Sequence, residues 1–152
     1  MQTAFQRETA GKCFPEAMPL LEEHWKEIAH FQDIELDPDY EIYAAAEAAG
    51  MLRVFTARTQ EGKLIGYAVF FCRTNPHYRT SLQANQDVLF ISKDHRGMGG
   101  RFILWCDEQL RAEGVQAVYH HVKAAHNFGK LLERFGYELT DLIYARRLDK
   151  NG

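Results

Sequence analysis

The sequence has few cysteines, no run of basic residues and no long apolar segment. Its three cysteines, Cys13, Cys72 and Cys106, are spaced too widely for a zinc site or a disulfide framework, and they suit a reducing compartment. Lys and Arg number 18 against 21 Asp and Glu, which argues against a general nucleic-acid-binding role. No apolar stretch approaches the roughly 18 residues that cross a bilayer. The first residues, MQTAFQRETAGK, lack the apolar core of a secretory signal. We therefore expect a cytoplasmic protein without a membrane or nucleic-acid partner.

The composition is that of an ordinary globular domain. Of the 152 residues, 46% are hydrophobic and 26% are charged, which is enough to build one domain with a substantial core. The sequence contains no internal repeat, low-complexity segment or linker. We therefore predict a single domain over residues 1–152.

Hydrophobic spacing and turn signals predict a chain of mixed helices and strands. TAFQRE alternates like an edge strand, a helix is predicted from Pro15 to His30, and a second helix opens at Asp37–Pro38 and stops at Gly50. MLRVFTAR and KLIGYAVFFCR form a hairpin across TQEG, and a polar loop, TNPHYRTSLQANQ, leads to the strand DVLFIS. A helix then presents Phe102, Ile103, Cys106 and Leu110 on one face. VQAVYHHV is predicted as a strand, HNFGKLLERF as a helix and YELTDLIYARRL as two strands around a tight turn. This order predicts an α+β fold with a mixed, partly parallel sheet and helices on both faces.

One stretch, DVLFISKDHRGMGGRFILWCDEQL, passes from a strand through a basic, glycine-rich turn into a helix. Bare backbone amides at a helix start favour an anion, and the helix dipole adds to this preference. Arg96 and Arg101 flank the glycines, and Arg101 falls in the first helical turn, where a cation is mildly unfavourable unless an anion binds. The alternative is a tight turn in which the glycines only supply positive φ. The P-loop and the dinucleotide-binding fingerprints are both absent.

The turn resembles the pyrophosphate-binding turn of the GNAT family, the Gcn5-related N-acetyltransferases. The family signature [RQ]-x-x-G-x-[GA] reads here as Arg96-Gly97-Met98-Gly99-Gly100-Arg101, in which only Arg101 departs from the pattern. The element order and a late ERFGY, similar to the family's E-K-x-G-F, extend the resemblance over the chain.

The resemblance implies acetyl-CoA as co-substrate, lying in a V-shaped opening between DVLFIS and VQAVYHHV. Its pantetheine arm would pair with the backbone of Phe90 and Ile91. Its pyrophosphate would meet the amides of the glycine turn. His126 and Asn127, at a helix start, would either cap that helix or touch the pantetheine. The implied cofactor-binding residues are therefore Phe90, Ile91, Arg96, Gly97, Met98, Gly99, Gly100, Arg101 and Asn127.

The resemblance also places a general base at Asp87, four residues before Ile91; the alternative is a carboxylate that only caps the strand or bonds a loop amide. The tyrosine that often supplies the proton in this family is replaced by Leu132. Residues near the site that can replace it are Tyr119, His120, His121 and Tyr144. Because neighbouring residues of a strand point to opposite faces, at most one of the two histidines faces the opening. Asp87, His120 and Tyr119 are the predicted catalytic residues, and catalysis by positioning alone remains an alternative.

The implied function is transfer of acetyl to an amine of a small molecule or a protein. The alternative is a non-catalytic module that binds coenzyme A, in which Leu132 marks lost chemistry. We expect no metal, because the histidines at 120, 121 and 126 have no cysteine or carboxylate at ligand spacing. Dimers are frequent in the family, so a homodimer is a further expectation.

Overall fold

A mixed sheet of five strands organises the computed structural model, which describes residues 2–150. The strands lie side by side in the order of the sequence. Neighbouring strands run antiparallel except the last pair, which is parallel. The strands are β1 (Thr3–Glu8), β2 (Leu52–Thr59), β3 (Leu64–Asn75), β4 (Tyr78–Ile91) and β5 (Ala117–Tyr119). The predicted α+β class and mixed sheet are confirmed.

Four α-helices cover the two faces of this sheet: α1 (Ala10–Ile28), α2 (Tyr40–Ala48), α3 (Gly99–Ala112) and α4 (Gly129–Arg134). Helices α1 and α2 contribute Cys13, Ala17 and Ala46 to the core on one face. Helix α3 buries its predicted apolar side on the other face, against Phe55 and Phe70. None of the helices in the described chain combines the length and the apolar sequence needed to cross a membrane.

Both N-terminal helices begin elsewhere than predicted. Helix α1 starts five residues before Pro15, because the Thr9 side chain caps it by accepting a hydrogen bond from the amide of Lys12 at 3.3 Å. Pro15 therefore lies inside the helix, as does Pro19. Helix α2 is capped by Asp39 rather than Asp37. It ends at Ala48, before Gly50, whose φ of +74° suits a glycine.

The prediction that TNPHYRTSLQANQ forms a polar loop is wrong. Strand β3 continues to Asn75 and β4 begins at Tyr78, so that most of this segment belongs to one long hairpin with a two-residue turn. Its polar residues alternate on a sheet that is exposed at this end, and the pairing of β3 with β4 overrides their turn-like composition.

The predicted C-terminal strand pair is also absent. Residues 138–150 belong to no helix or strand and, within the described chain, form no hydrogen bond between backbone groups. The segment is instead held by Arg147, which forms a 2.7 Å ion pair with Asp33 and lies over the ring of Phe31. Without a neighbouring strand, the alternating sequence cannot complete a β-ladder.

A buried ion pair ties β1 to β2 at the sheet edge. The Arg58 guanidinium donates to both carboxylate oxygens of Glu8, at 2.8 and 2.9 Å, and to Glu16 of α1. The Glu8 carboxylate also accepts from the hydroxyl of Thr56. The hydrogen bonds from Arg58 are the largest influence that lowers the pKa of Glu8, from 4.5 to about 2.

Replacing Glu8 with glutamine should destabilise the fold by about 3 kcal/mol near pH 7, because it leaves Arg58 buried without its main partner. The depressed pKa of Glu8 predicts that this stabilisation is present above pH 4.5 and is lost as the pH falls towards 2. Urea unfolding between pH 7 and pH 2 measures both effects. Glu113→Gln is the control, because Glu113 pairs with Arg7 and Arg53 at the surface and should contribute less than about 1 kcal/mol. Equal losses in the two variants would contradict the prediction.

Candidate functional site

The two parallel strands of the sheet separate after a short contact. Strand β5 pairs with β4 only between Gln83–Asn85 and Ala117–Tyr119. Strand β4 continues to Ile91 and stays paired with β3 on its other side. From Gln86 onward, the edge of β4 that faces β5 therefore has no strand partner in the described chain. The resemblance implies such an opening, and its free backbone groups suit an extended ligand that adds to a strand edge. Phe90 and Ile91 lie on this unpaired edge.

A β-bulge in β4 lies at Asp87. Val69 of β3 pairs with Val88, whereas the next residue, Phe70, pairs with Gln86, so Asp87 is an extra residue without a partner on β3. Bulges bend a strand and redirect one side chain. Here the bulge turns Asp87 towards α1 and α2, at the level where β4 and β5 part.

Asp87 is an exposed residue that lines a small open cavity, about 30 Å³, beneath α1 and α2. Its Oδ2 accepts a hydrogen bond of 2.5 Å from the hydroxyl of Tyr43. Tyr67 also lines the cavity and is only 2% exposed, and its buried hydroxyl has no hydrogen-bond partner in the described chain. Burial, followed by the bond to Asp87, raises the pKa of Tyr43, and burial raises that of Tyr67. Both phenols therefore stay protonated. Tyr43 already donates its one proton to Asp87, whereas the hydroxyl of Tyr67 donates to no group of the described chain.

The glycine turn forms the start of α3, after a 3-10 turn over Lys93–Met98. No side chain of the described residues caps this helix. The amide of Gly99 donates to the carbonyl of Arg96, so the 3-10 turn itself occupies this first amide of the helix. A Cβ built on Gly97 meets nothing within 4 Å, and one on Gly99 meets only Ile91 at 3.8 Å. Gly100 is different, because its Cβ would lie 3.1 Å from the ring of Phe135.

Positive φ does not explain these glycines. The glycines with positive φ in the described chain are Gly50, Gly62, Gly114 and Gly136, none of them in this turn. The alternative interpretation of a turn that needs left-handed glycines is therefore wrong. What the glycines leave is open space beside the backbone at Gly97 and Gly99.

Arg96 of the turn is engaged by α1. Its Nη2 donates to both oxygens of Glu27, at 3.0 and 2.8 Å, and Glu27 also lies 3.6 Å from Nδ1 of His126. The hydrogen bonds from Arg96 are the main influence that lowers the pKa of Glu27. Arg101 is exposed and forms no ion pair within the described chain. Met98 places its side chain in the core, so only its backbone faces the turn.

The structure separates the predicted catalytic residues between the two faces of the sheet. His120 packs against Phe70, Phe128 and Tyr137, and its Nδ1 lies 2.8 Å from Oε1 of Gln86. Burial lowers the pKa of His120 to about 4, so this ring is neutral at pH 7. Asp87 lies on the opposite face of the sheet, so His120 and Asp87 are not brought together.

Tyr119 lies on the same face as Asp87. Its neighbours Val118 and His120 both contact the core beneath α3, so strand alternation turns Tyr119 to the other face. Tyr119 pairs with Asn85, the last rung before β4 and β5 separate. No sequence pattern points to Tyr43 and Tyr67, because neither lies near Asp87 along the chain.

Two further predicted positions have local structural roles. The side chain of Asn127 accepts a hydrogen bond of 2.8 Å from the amide of Gly129 at the start of α4. Leu132, which stands where the family often has tyrosine, is buried in α4. A tyrosine hydroxyl is therefore not available from this helix position.

No family model matches the sequence, and no curated protein matches it either. Solved structures do match over nearly the whole chain. An aminoglycoside acetyltransferase from an uncultured soil metagenomic sample, in complex with sisomicin, is 15% identical with a TM-score of 0.72, covering 96% of each chain. The ribosomal-protein-alanine N-acetyltransferase of Brucella melitensis is 16% identical with a TM-score of 0.70, covering 97% of this chain and 99% of the other. The protein AAC(6')-Iy, in complex with a bisubstrate analogue of CoA and acetylneamine, is 16% identical with a TM-score of 0.69, covering 97% and 98%.

Proposed function

We propose that this chain, which has the fold of the GNAT N-acetyltransferases, is itself an acetyl-CoA-dependent N-acetyltransferase. The observation that carries the proposal is a single arrangement. Strand β4 has a free edge that begins beside a bulged carboxylate, Asp87, and leads to an uncapped helix start with open space over Gly97 and Gly99. An extended thioester with a diphosphate at one end fits this sequence of features.

Binding uses the backbone more than side chains. The amides at the start of α3 hold the diphosphate, and the edge of β4 at Phe90 and Ile91 pairs with the pantetheine amides. Arg96 contacts the diphosphate only after it leaves Glu27, whereas the exposed Arg101 is available at once. This binding places the thioester carbonyl near the point where β4 and β5 separate.

The chemistry then depends on Asp87 and Tyr119. The carboxylate of Asp87 takes a proton from the acceptor ammonium, directly or through a water in the cavity, and the freed nitrogen attacks the thioester carbonyl. The N–C bond forms, the attacking nitrogen releases its second proton to solvent, and the C–S bond breaks. The phenol of Tyr119 donates its proton to the departing thiolate and is reprotonated from solvent. We do not assign this step to His120, because its ring is buried on the other face of the sheet.

The test is calorimetric titration of the purified protein with acetyl-CoA, followed by detection of released thiol in the presence of a panel of amines and peptides. We expect saturable binding and thiol release that depends on the amine. Binding without transfer would favour the alternative, a non-catalytic module that binds coenzyme A, which the buried Leu132 supports. No binding of any coenzyme A thioester would overturn both.

We also propose that the protein forms a homodimer through its C-terminal segment, residues 138–148. The segment exposes large apolar side chains that a monomer rarely leaves in water, and its backbone is unpaired within the described chain. The exposed side chains are Leu139, Leu142, Ile143, Tyr144 and Leu148, each at least 69% exposed. The outer edge of β5 is also unpaired within the described chain. The C-terminal segment of one copy can therefore pair with the edge of β5 in the other copy.

Exchanging Leu142 and Ile143 for glutamate should convert the dimer into a monomer, because the two charges would be buried at the contact. Sedimentation velocity at micromolar concentrations measures the change. Leu104→Glu is the control, since Leu104 is an exposed apolar residue of α3 outside the segment. A wild-type protein that sediments as a monomer would contradict this proposal.

A further inference from the structure

A larger groove adjoins the Asp87 cavity on the same face of the sheet. It has a volume of about 890 Å³ and lies between α2 and the far ends of β3 and β4. This volume is within the range of small-molecule sites, whereas the cavity at Asp87 holds little more than a water or an amino group. Tyr43 of the cavity stacks on Phe71 of the groove, with ring centroids 5.7 Å apart, so the two spaces are neighbours. The groove has room for the body of a small acceptor, and the cavity has room for an amino group.

The side chains of the described chain that line the groove include a cationic arginine and no carboxylate. Arg73 of β3 and His121, which follows β5, both line it, and none of its lining residues in the described chain is acidic. Arg73 is exposed and belongs to none of the ion pairs in that part of the chain. Guanidinium is the side chain best suited to carboxylates and phosphates.

Amide side chains complete the polar part of this wall. Asn75, Gln83 and Asn85 line the groove, and Asn75 donates to Gln83 at 3.1 Å. Amides bind carbonyl and oxyanion groups without adding negative charge. The groove as a whole therefore favours an anionic or carbonyl-rich ligand over a cationic one.

The strand register sets the distance between the two charges. Arg73 pairs with Gln83, and Gln83 lies four residues before Asp87 on β4. Four residues of a strand span roughly 13 Å, and the long side chain of Arg73 can shorten this distance. The site therefore has the carboxylate of Asp87 at one end and the guanidinium of Arg73 at the other, and a chain of several bonds would be needed to join ligand groups at the two ends.

We propose that the acetyl acceptor is a zwitterion, a primary amine that also carries a carboxylate or a similar oxyanion. Its ammonium group lies at Asp87 and its anionic group lies at Arg73 and His121. The inference rests on the proposed function, because it names the acceptor of that reaction. A polycationic amine is disfavoured, since the groove offers it no carboxylate and Arg73 repels it.

The experiment compares matched acceptors in the same assay. Straight-chain ω-amino carboxylates of four to six carbons and a glycyl dipeptide are each paired with the corresponding carboxamide, and spermidine serves as the polycation. We expect kcat/KM to be roughly tenfold or more higher for the carboxylate of each pair, as for a charge-assisted hydrogen bond. In the Arg73→Gln variant, the ratio of kcat/KM between each carboxylate and its carboxamide should fall towards one. The cause should be a higher KM for the carboxylates, with the KM of the carboxamides unchanged. Arg79→Gln is the matched control, because Arg79 is another exposed arginine of the same hairpin that does not line the groove.

Equal kcat/KM within every pair, or a preference for spermidine, would overturn the inference while the proposed function stands. So would an Arg73→Gln variant that loses activity equally with carboxylates and carboxamides. Failure of the proposed function has a different signature, namely no binding of acetyl-CoA, or binding without release of thiol with any amine. In that case calorimetric titration of the wild-type and Arg73→Gln proteins with the same amino carboxylates, without thioester, decides the matter. Binding that depends on Arg73 supports the anionic subsite, and absence of binding overturns it.

Discussion

Asp87→Asn is expected to lower the turnover of acetyl transfer by a factor of about 100 to 10,000 while acetyl-CoA binds with unchanged affinity. Asparagine has nearly the same shape but cannot accept a proton, so the acceptor amine stays protonated and cannot attack. The fold should tolerate the change, since Asp87 is an exposed bulge residue. The side-chain oxygen of the new asparagine can still accept the hydrogen bond from Tyr43.

Steady-state rates over a range of acceptor concentrations and pH measure this loss, and calorimetry measures the binding of acetyl-CoA. Asp94→Asn is the matched control, because Asp94 is an exposed aspartate in the turn before α3 and lines neither the cavity nor the groove. Turnover within a factor of three of the wild type, with the same dependence on pH, would remove Asp87 from the role of base. Activity lost together with acetyl-CoA binding would instead mark Asp87 as a structural residue.

The parts of the fold that the sequence predicts are those with local causes. The hairpin between β2 and β3 follows from alternating apolar residues around a turn in which Gly62 has a φ of +89°. The apolar face of α3 follows from helical spacing, and all four predicted residues are buried. The glycine turn was found for the same reason, because the six residues that form it are consecutive.

The parts that were missed depend on pairing between distant segments. The bulge at Asp87 exists only in the register of β4 against β3, which no pattern within β4 reveals. The bond from Tyr43 to Asp87 joins residues 44 positions apart. The segment 138–150 has the alternation of a strand, but it lacks a neighbour within the described chain. Alternation predicts which side chains share a face and does not supply the partner.

The placement of His120 illustrates the same limit at the candidate site. Alternation correctly separates His120 from His121, and yet it does not say which of the two faces the opening. The answer depends on Phe70, Phe128 and Tyr137, which enclose His120 beneath α3. His121 consequently faces the groove on the other side of the sheet.

Gly99→Asp should weaken acetyl-CoA binding by about 100-fold or more, with the loss measured as Kd by calorimetry. The new carboxylate lies at the helix start that is proposed to hold the diphosphate, so it should repel the ligand and displace it from the amides there. The same carboxylate interacts favourably with the dipole of α3. Thermal unfolding should therefore show the variant to be as stable as the wild type or slightly more so.

Gly99→Ala separates the effect of charge from the effect of size. A Cβ at this position makes only an ordinary contact, 3.8 Å from Ile91, and needs no change in φ. Alanine should therefore cost less than about tenfold in Kd. Because aspartate is expected to leave the helix at least as stable, its loss of binding cannot be attributed to unfolding. An aspartate variant that binds acetyl-CoA within twofold of the wild type would mean that the diphosphate is held elsewhere, and the open amides at the start of α3 would then have no ligand.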